Sequence, residues 1–288
     1  MKRTVVIDLP ADYRHGDVLA FHSRDQESVA EEVTPERLRK GVLLDGVPTL
    51  LDIAFEAQRA VCTIRADGKV SGQVDDALQN ILGLRIDPAP FLKFTKKDAL
   101  LAPLAQRFKG LRIVQSATIF EALTWAIIGQ QINLTFAIAL RRTFIQQAGR
   151  QHSCGLWCYP EAADVARLAL EELTTRKFSG AKAETLLRLA GLAARGEITL
   201  ERNASVADVS KTLLAIKGIG PWTVNYALLR GYGYADCSLH GDVAIRAALQ
   251  RLLGEDSKPD MARTEAWLAR YAPHRTMLAA HLWASLNG

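Results

Sequence analysis

The stretch VADVSKTLLAIKGIGPWTVNYALLRGYG, residues 206–233, constrains this chain more than any other. Apolar side chains recur at three-and-four spacing on both sides of GIG, which predicts two amphipathic helices joined by a glycine turn. Pro221 fits the first turn of the second helix, where a missing N–H is no loss. The expected unit is therefore a helix-hairpin-helix over about 206–231. Free N–H groups in such a turn, with a helix dipole behind them, attract an anion. A nucleotide cradle does not fit: no strand precedes the turn, no lysine pattern follows it, and Thr223 stands where GxGxxG needs its third glycine. Two readings remain, a grip on one nucleic-acid backbone phosphate and a plain helical hairpin whose glycines only make a tight cap.

The pattern stays helical from about Asp98 onward, through FEALTWAIIGQQI, NLTFAIALRRTFIQQAG, GAKAETLLRLAGLAARG, DVAIRAALQRLLG, MARTEAWLARYA and HRTMLAAHLWASL. Ser116 or Thr118 can cap the first of these, with Thr118 and Glu121 as a capping box, and Gly149 closes the second. Residues 1–95 read differently. TVVIDL and AVCTIRADG alternate with period two, DG, ADGKVSG and DPAP mark turns, and GDVLAFHSRD is a short helix. The expectation is an α+β N-terminal domain with an antiparallel sheet over 1–95, then an all-α domain over 96–288, divided in the proline-bearing RIDPAPFLKF.

With 49% hydrophobic residues in 288, the chain can bury a sizeable core. No window approaches 18 uncharged apolar residues and the first residues are charged, so a cytoplasmic protein without a membrane span is expected. Net charge is +5; residues 1–100 sum to −2, leaving +7 with the hairpin half, which is compatible with nucleic acid. The cysteines Cys62, Cys154, Cys158 and Cys237 are too few for a disulfide framework. His152, Cys154 and Cys158 together with Cys237 and His240 have zinc-like local spacings. Their wide separation and the apolar Leu156 and Trp157 favour buried free thiols instead.

LAIKGIGPWTVNYALLRG, the linker YGYADCSLHG and the helix DVAIRAALQRL together resemble the helix-hairpin-helix (HhH-GPD) DNA glycosylase superfamily of base-excision repair. IIGQQIN and RKFSGAKAETLLRLA draw the likeness towards its bacterial alkylation-repair branch, the 3-methyladenine DNA glycosylase II type. The likeness covers roughly 98–288 well, and residues 1–95 in length and position. It implies that Asp242 is the catalytic aspartate, at a helix start whose positive end favours a carboxylate and where it would stabilise oxocarbenium-like charge. An Asp in that place is otherwise a simple cap. It further implies a base pocket of Trp222, Tyr226 and Trp283, with Phe21 as a wall from the first domain; on spacing alone such aromatics read as core. Ala284 departs from the tyrosine of that branch, which leaves the pocket more open or alters its preference.

Strand-cutting members of the superfamily use a lysine nucleophile whose position matches Trp222, while Lys217 comes too early. A monofunctional enzyme that hydrolyses the glycosidic bond and leaves an abasic site is implied, and the cysteine spacing of the iron–sulfur members is absent. The implied DNA contacts are the backbone of Gly218 and Gly220 with the Thr223 hydroxyl, and Gln131 of the GQQ turn as the wedge that fills the gap left by a flipped base. Gln130 and Gln131 read equally well as caps of helix ends. The carbonyls of Leu214, Ile216 and Ile219 match a monovalent cation site; no cofactor is required. The expected partner is double-stranded DNA carrying alkylated purines, met by a monomer that gathers on the nucleoid. The alternatives are a glycosylase for deaminated or oxidised bases and a non-catalytic DNA-binding hairpin protein.

Overall fold

The computed structural model describes residues 1–70 and 73–286. The first elements are β1 (Lys2–Asp8), α1 (His15–His22), β2 (Glu31–Thr34), β3 (Arg37–Leu44), β4 (Val47–Glu56), β5 (Arg59–Ala66) and α2 (Gln73–Ile81). The strands form one antiparallel sheet in the order β1-β5-β4-β3-β2. Leu44 pairs with Val47, so Asp45-Gly46 makes a two-residue hairpin loop, and both residues have positive φ (52° and 73°) as the sheet's twist demands. Alternate residues Leu38, Leu51, Ile53, Cys62 and Ile64 turn inward and meet Val18 and Leu19 of α1 and Val74 and Leu78 of α2.

The helices that follow are α3 (Ala89–Thr95), α4 (Leu101–Arg107), α5 (Ile119–Gly129) and α6 (Leu134–Ala148), then the strand pair β6 (Arg150–Gln151) and β7 (Trp157–Cys158). After these come α7 (Ala162–Val165), α8 (Leu170–Thr174), α9 (Gly180–Ala194), α10 (Val206–Leu214), α11 (Pro221–Ala227), α12 (Val243–Leu253), α13 (Met261–Ala269) and α14 (Arg275–Ala284). Helix α5 is buried almost all round, and Leu123 and Ile127 sit in a core shared with Val224 of α11 and Leu278 of α14. Thr118 caps α5 by accepting from Glu121 N (3.1 Å), as its spacing predicts.

Three features depart from the sequence reading. The buried clusters do not divide at 95/96: Ile86 and Phe91 belong to the helical core, whereas Val114 and Ala117 complete the core under the sheet. The β6–β7 pair interrupts the helical region and reaches back to the sheet, where Leu43 N donates to Tyr159 O (3.0 Å) and Tyr159 N to Gly41 O (3.1 Å). A Cβ on Gly41 would strike the Trp157 carbonyl, so the close approach requires glycine. Finally, the capping box is incomplete: the Glu121 carboxylate takes Ala117 N (3.0 Å), and its other oxygen enters a buried ion cluster. In that cluster Lys40 bridges Glu31 (2.6 Å) and Glu121 (2.8 Å), and Arg141 bridges the same two (2.6 and 3.0 Å), welding the sheet to α5 and α6.

Candidate active site and nucleic-acid interface

Helix α12 begins at Asp242, which has extended backbone (φ −74°, ψ 125°) and caps the helix by accepting from Ile245 N on Oδ1 (2.9 Å). Two indoles converge on the same carboxylate. Trp222 Nε1 donates to Oδ2 and Trp283 Nε1 to Oδ1, each at 3.2 Å. A carboxylate offers about four lone-pair directions, so three donors fix its plane and leave room for one further partner. The cap and the catalytic role inferred for Asp242 are thus not alternatives: capping is one of the restraints that orient the group.

Asp242 opens onto a cleft of about 1100 Å³ that also exposes Trp125, Trp222, Tyr226 and Trp283. The Trp222 and Tyr226 rings lie 5.3 Å apart, tilted by 32°, and Tyr226 Oη accepts from Trp125 Nε1 (2.9 Å). Spacing of four along one helix put Trp222 and Tyr226 on a shared face; the tertiary fold adds Trp283 and Trp125. Phe21 is not part of this lining. It faces an adjoining smaller chamber of about 50 Å³ that shares Arg24 and Trp125 with the cleft, and Arg24 and Arg230 lie 4.4 Å and 4.9 Å from its ring centre.

Both arginines line the main cleft, and the sequence reading missed them. Arg230 also stacks on Trp283 (5.3 Å) and donates from Nη1 to Val114 O. Loss of hydration pulls its guanidinium down to about 10, and burial lowers that of Arg24 too. Neither is ion-paired to a carboxylate among the described residues. For Arg230 the signal was present, since positions 222, 226 and 230 step along one face of the hairpin's second helix. For Arg24, on a different domain, there was none.

The hairpin forms as predicted, with Pro221 opening α11, although α11 passes into a π-helical turn, Leu228–Tyr232, closed by Gly233 at φ 73°. Gly218 has φ 97°, and a Cβ there would collide with the Thr185 hydroxyl; Gly220 stands in open space at the cleft. Thr223 corrects its expected role at a phosphate. It is 2% exposed, and its Oγ1 accepts from Gln130 Nε2 (2.9 Å), which also donates to Gly218 O (3.1 Å). The hydroxyl braces the hairpin from within. Among the expected cation ligands, the Ile216 carbonyl accepts from Ile219 N (3.0 Å) inside the turn, while Leu214 lies at the exposed end of α10.

Gln131 is exposed at the cleft in a left-handed conformation (φ 57°), uncommon for a residue with a side chain, whereas Gln130 is the C-cap of α5. Of the four cysteines, Cys62, Cys158 and Cys237 are buried, and burial pushes their thiols up to about 12, 11 and 12. Cys154 is exposed, contrary to the expectation of buried thiols at the two local spacings. No group of three or more His, Cys, Asp or Glu is arranged to hold a metal among the described residues. No helix among them is long and apolar enough to cross a membrane.

An aspartate held by two indoles at a helix start thus lies beside a glycine hairpin. The chain belongs to the HhH-GPD superfamily of base excision DNA repair proteins, whose pattern its residues 124–274 match. It is 28% identical over 266 residues to a DNA-3-methyladenine glycosylase of Bacillus subtilis, covering 88% of each chain. It is 29% identical over 188 residues to DNA-3-methyladenine glycosylase 2 of Escherichia coli, covering 65% of this chain and 64% of that one. The fold matches that of a 3-methyladenine DNA glycosylase from Archaeoglobus fulgidus with a TM-score of 0.81 over 97% of both chains, at 22% identity.

Proposed function

We propose that this protein is a monofunctional DNA glycosylase that hydrolyses the bond between deoxyribose and an alkylated purine, such as 3-methyladenine or 7-methylguanine, in double-stranded DNA. The observation that carries the reading is Asp242, fixed by Trp222 and Trp283 at the floor of an aromatic cleft. As the bond from C1′ to the base breaks, the electron pair leaves with the base and positive charge develops on the sugar. A preorganised carboxylate stabilises that charge. Asp242 also orients a water whose oxygen bonds to C1′ and whose proton is lost to solvent, leaving an abasic site. A cationic alkylated base departs neutral and needs no strong acid, and its stacking on Trp222 and Tyr226 is favourable by about 0.5–2 kcal/mol.

With Trp222 where a lysine nucleophile would be required, water is the nucleophile in this reading. Borohydride treatment of the protein with abasic DNA is expected to trap no covalent adduct; an adduct would overturn the monofunctional assignment. Gly218 and Gly220 would present backbone N–H groups to one phosphate, and the carbonyls of Leu214, Ile216 and Ile219 would hold a monovalent cation between hairpin and DNA. The protein acts as a monomer on this reading.

One observation favours a second reading, excision of uncharged deaminated or oxidised bases: Arg24 and Arg230 line the cleft, and Arg230 covers part of Trp283. An uncharged base departs as an anion, which a nearby guanidinium stabilises. A panel of single-lesion duplexes separates the readings. Release of 7-methylguanine unaffected by Arg230→Gln supports the first, whereas release of hypoxanthine alone, lost in Arg230→Gln, would establish the second.

A further inference from the structure

Lys182 lies near the start of α9, is 9% exposed, and has no ion-paired carboxylate among the described residues. Its Nζ donates instead to Ile128 O (2.6 Å) and Gln130 O (2.9 Å), the carbonyls that close α5. Burial pulls its ammonium below the ordinary lysine value. A buried ammonium without a counter-ion is unfavourable, and carbonyl dipoles at a helix C-terminus offset only part of that. A methionine would fill the same volume without the charge. What the lysine adds is a fixed position for the Gln130 peptide, immediately before the left-handed Gln131.

The same edge of α9 also holds the hairpin. Three residues beyond Lys182, Thr185 packs its hydroxyl against Gly218 and reaches Lys217 O (3.5 Å). Three further on, Arg188 Nη1 donates to Lys217 O (3.1 Å). Gln130 closes the loop directly, with one amide group on both Gly218 O and Thr223 Oγ1. The turn carrying Gln131 and the turn carrying Gly218 and Gly220 are therefore fixed to one helix and to each other.

We infer that Lys182 is a positioning residue for base flipping, and that α9 sets the distance between the wedge turn and the phosphate-gripping hairpin. The inference rests on the glycosylase reading above. A wedge must enter the duplex at a set offset from the gripped phosphate, or the unstacking of the base goes uncompensated. Lys182 does not line the cleft that holds Asp242, so loosening it affects extrusion and spares the chemical step.

The test compares single-turnover release of 7-methylguanine from two duplexes, one with the lesion paired to cytosine and one with it opposite an abasic site, where extrusion is already largely paid for. Lys182→Met is expected to slow release from the paired duplex about tenfold or more, and from the unpaired one less than about threefold. Lys182→Arg, which keeps charge and donors, is expected to restore the paired rate. Equal slowing on both duplexes, or none on either, overturns the inference. If Lys182→Met does not fold, Lys182→Gln replaces it, with the same split expected at smaller size and its absence equally decisive. Failure of the wild type on both duplexes refutes the alkylated-purine reading on which this inference rests, and this inference with it; an active wild type without the split refutes the inference alone.

Discussion

Asp242 caps α12 and is the reacting carboxylate in the proposed function, and substitution separates the two. Asp242→Asn keeps a capping oxygen for Ile245 N but sets its amide N–H against the Trp222 indole N–H, so a loss of about 0.5 kcal/mol is expected. Asp242→Ala removes the cap and is expected to lose about 1 kcal/mol. Urea denaturation of the two variants checks this, and an Asn variant as destabilised as the Ala variant would show that the charge, not the cap, secures α12. At this scale the sequence was informative wherever a residue's role is set by its own element. Position 242 opens a helix, and Trp222 and Tyr226 share a face, so their placement was legible, while their roles came from the resemblance. Trp283 rested on resemblance alone, and the stacking of Arg24 and Arg230 on Phe21 was not legible, because it depends on two domains coming together.

The hairpin holds its shape through glycine conformation and through bonds to its neighbours. Gly218→Ala forces a Cβ into the Thr185 hydroxyl at φ 97°, with an expected loss of about 1–3 kcal/mol and weaker DNA binding. Thermal melts with a binding titration on undamaged duplex check both; a variant with wild-type stability would mean the turn relaxes freely. Gly220→Ala has space for its Cβ and is expected to fold normally. The helix-turn-helix pattern was readable because apolar periodicity and glycine turns are local. Thr223 was misread because nothing local tells that Gln130, 93 residues earlier, takes its hydroxyl. The β6–β7 pair was missed for a related reason: two-residue strands have no period, and their partner is the sheet edge at Gly41 and Leu43.

The two domains form one body through the Glu31–Lys40–Glu121–Arg141 cluster, which no sequence pattern announces because each member belongs to a different element. Buried histidines make the fold sensitive to acid. Burial lowers His281 to about 4 and lowers His22 as well, so the unfolded chain takes up protons below about pH 6.5 that the folded chain refuses. Stability is therefore fully present above pH 6.5 and lost as pH falls towards 4, on the order of 2–3 kcal/mol for His281. His281→Leu is expected to narrow the difference between melting temperatures at pH 7 and pH 4.5; an unchanged difference would contradict the assignment. For the whole molecule the central claim is hydrolysis at Asp242, and the most direct measurement is a time course of methylpurines released from methylated DNA by the wild type and by Asp242→Asn. Steady release by the wild type is expected, with a fall of about 10²- to 10³-fold in Asp242→Asn and DNA binding retained. Release that survives the substitution, or a wild type that binds DNA and releases no base, would contradict the claim.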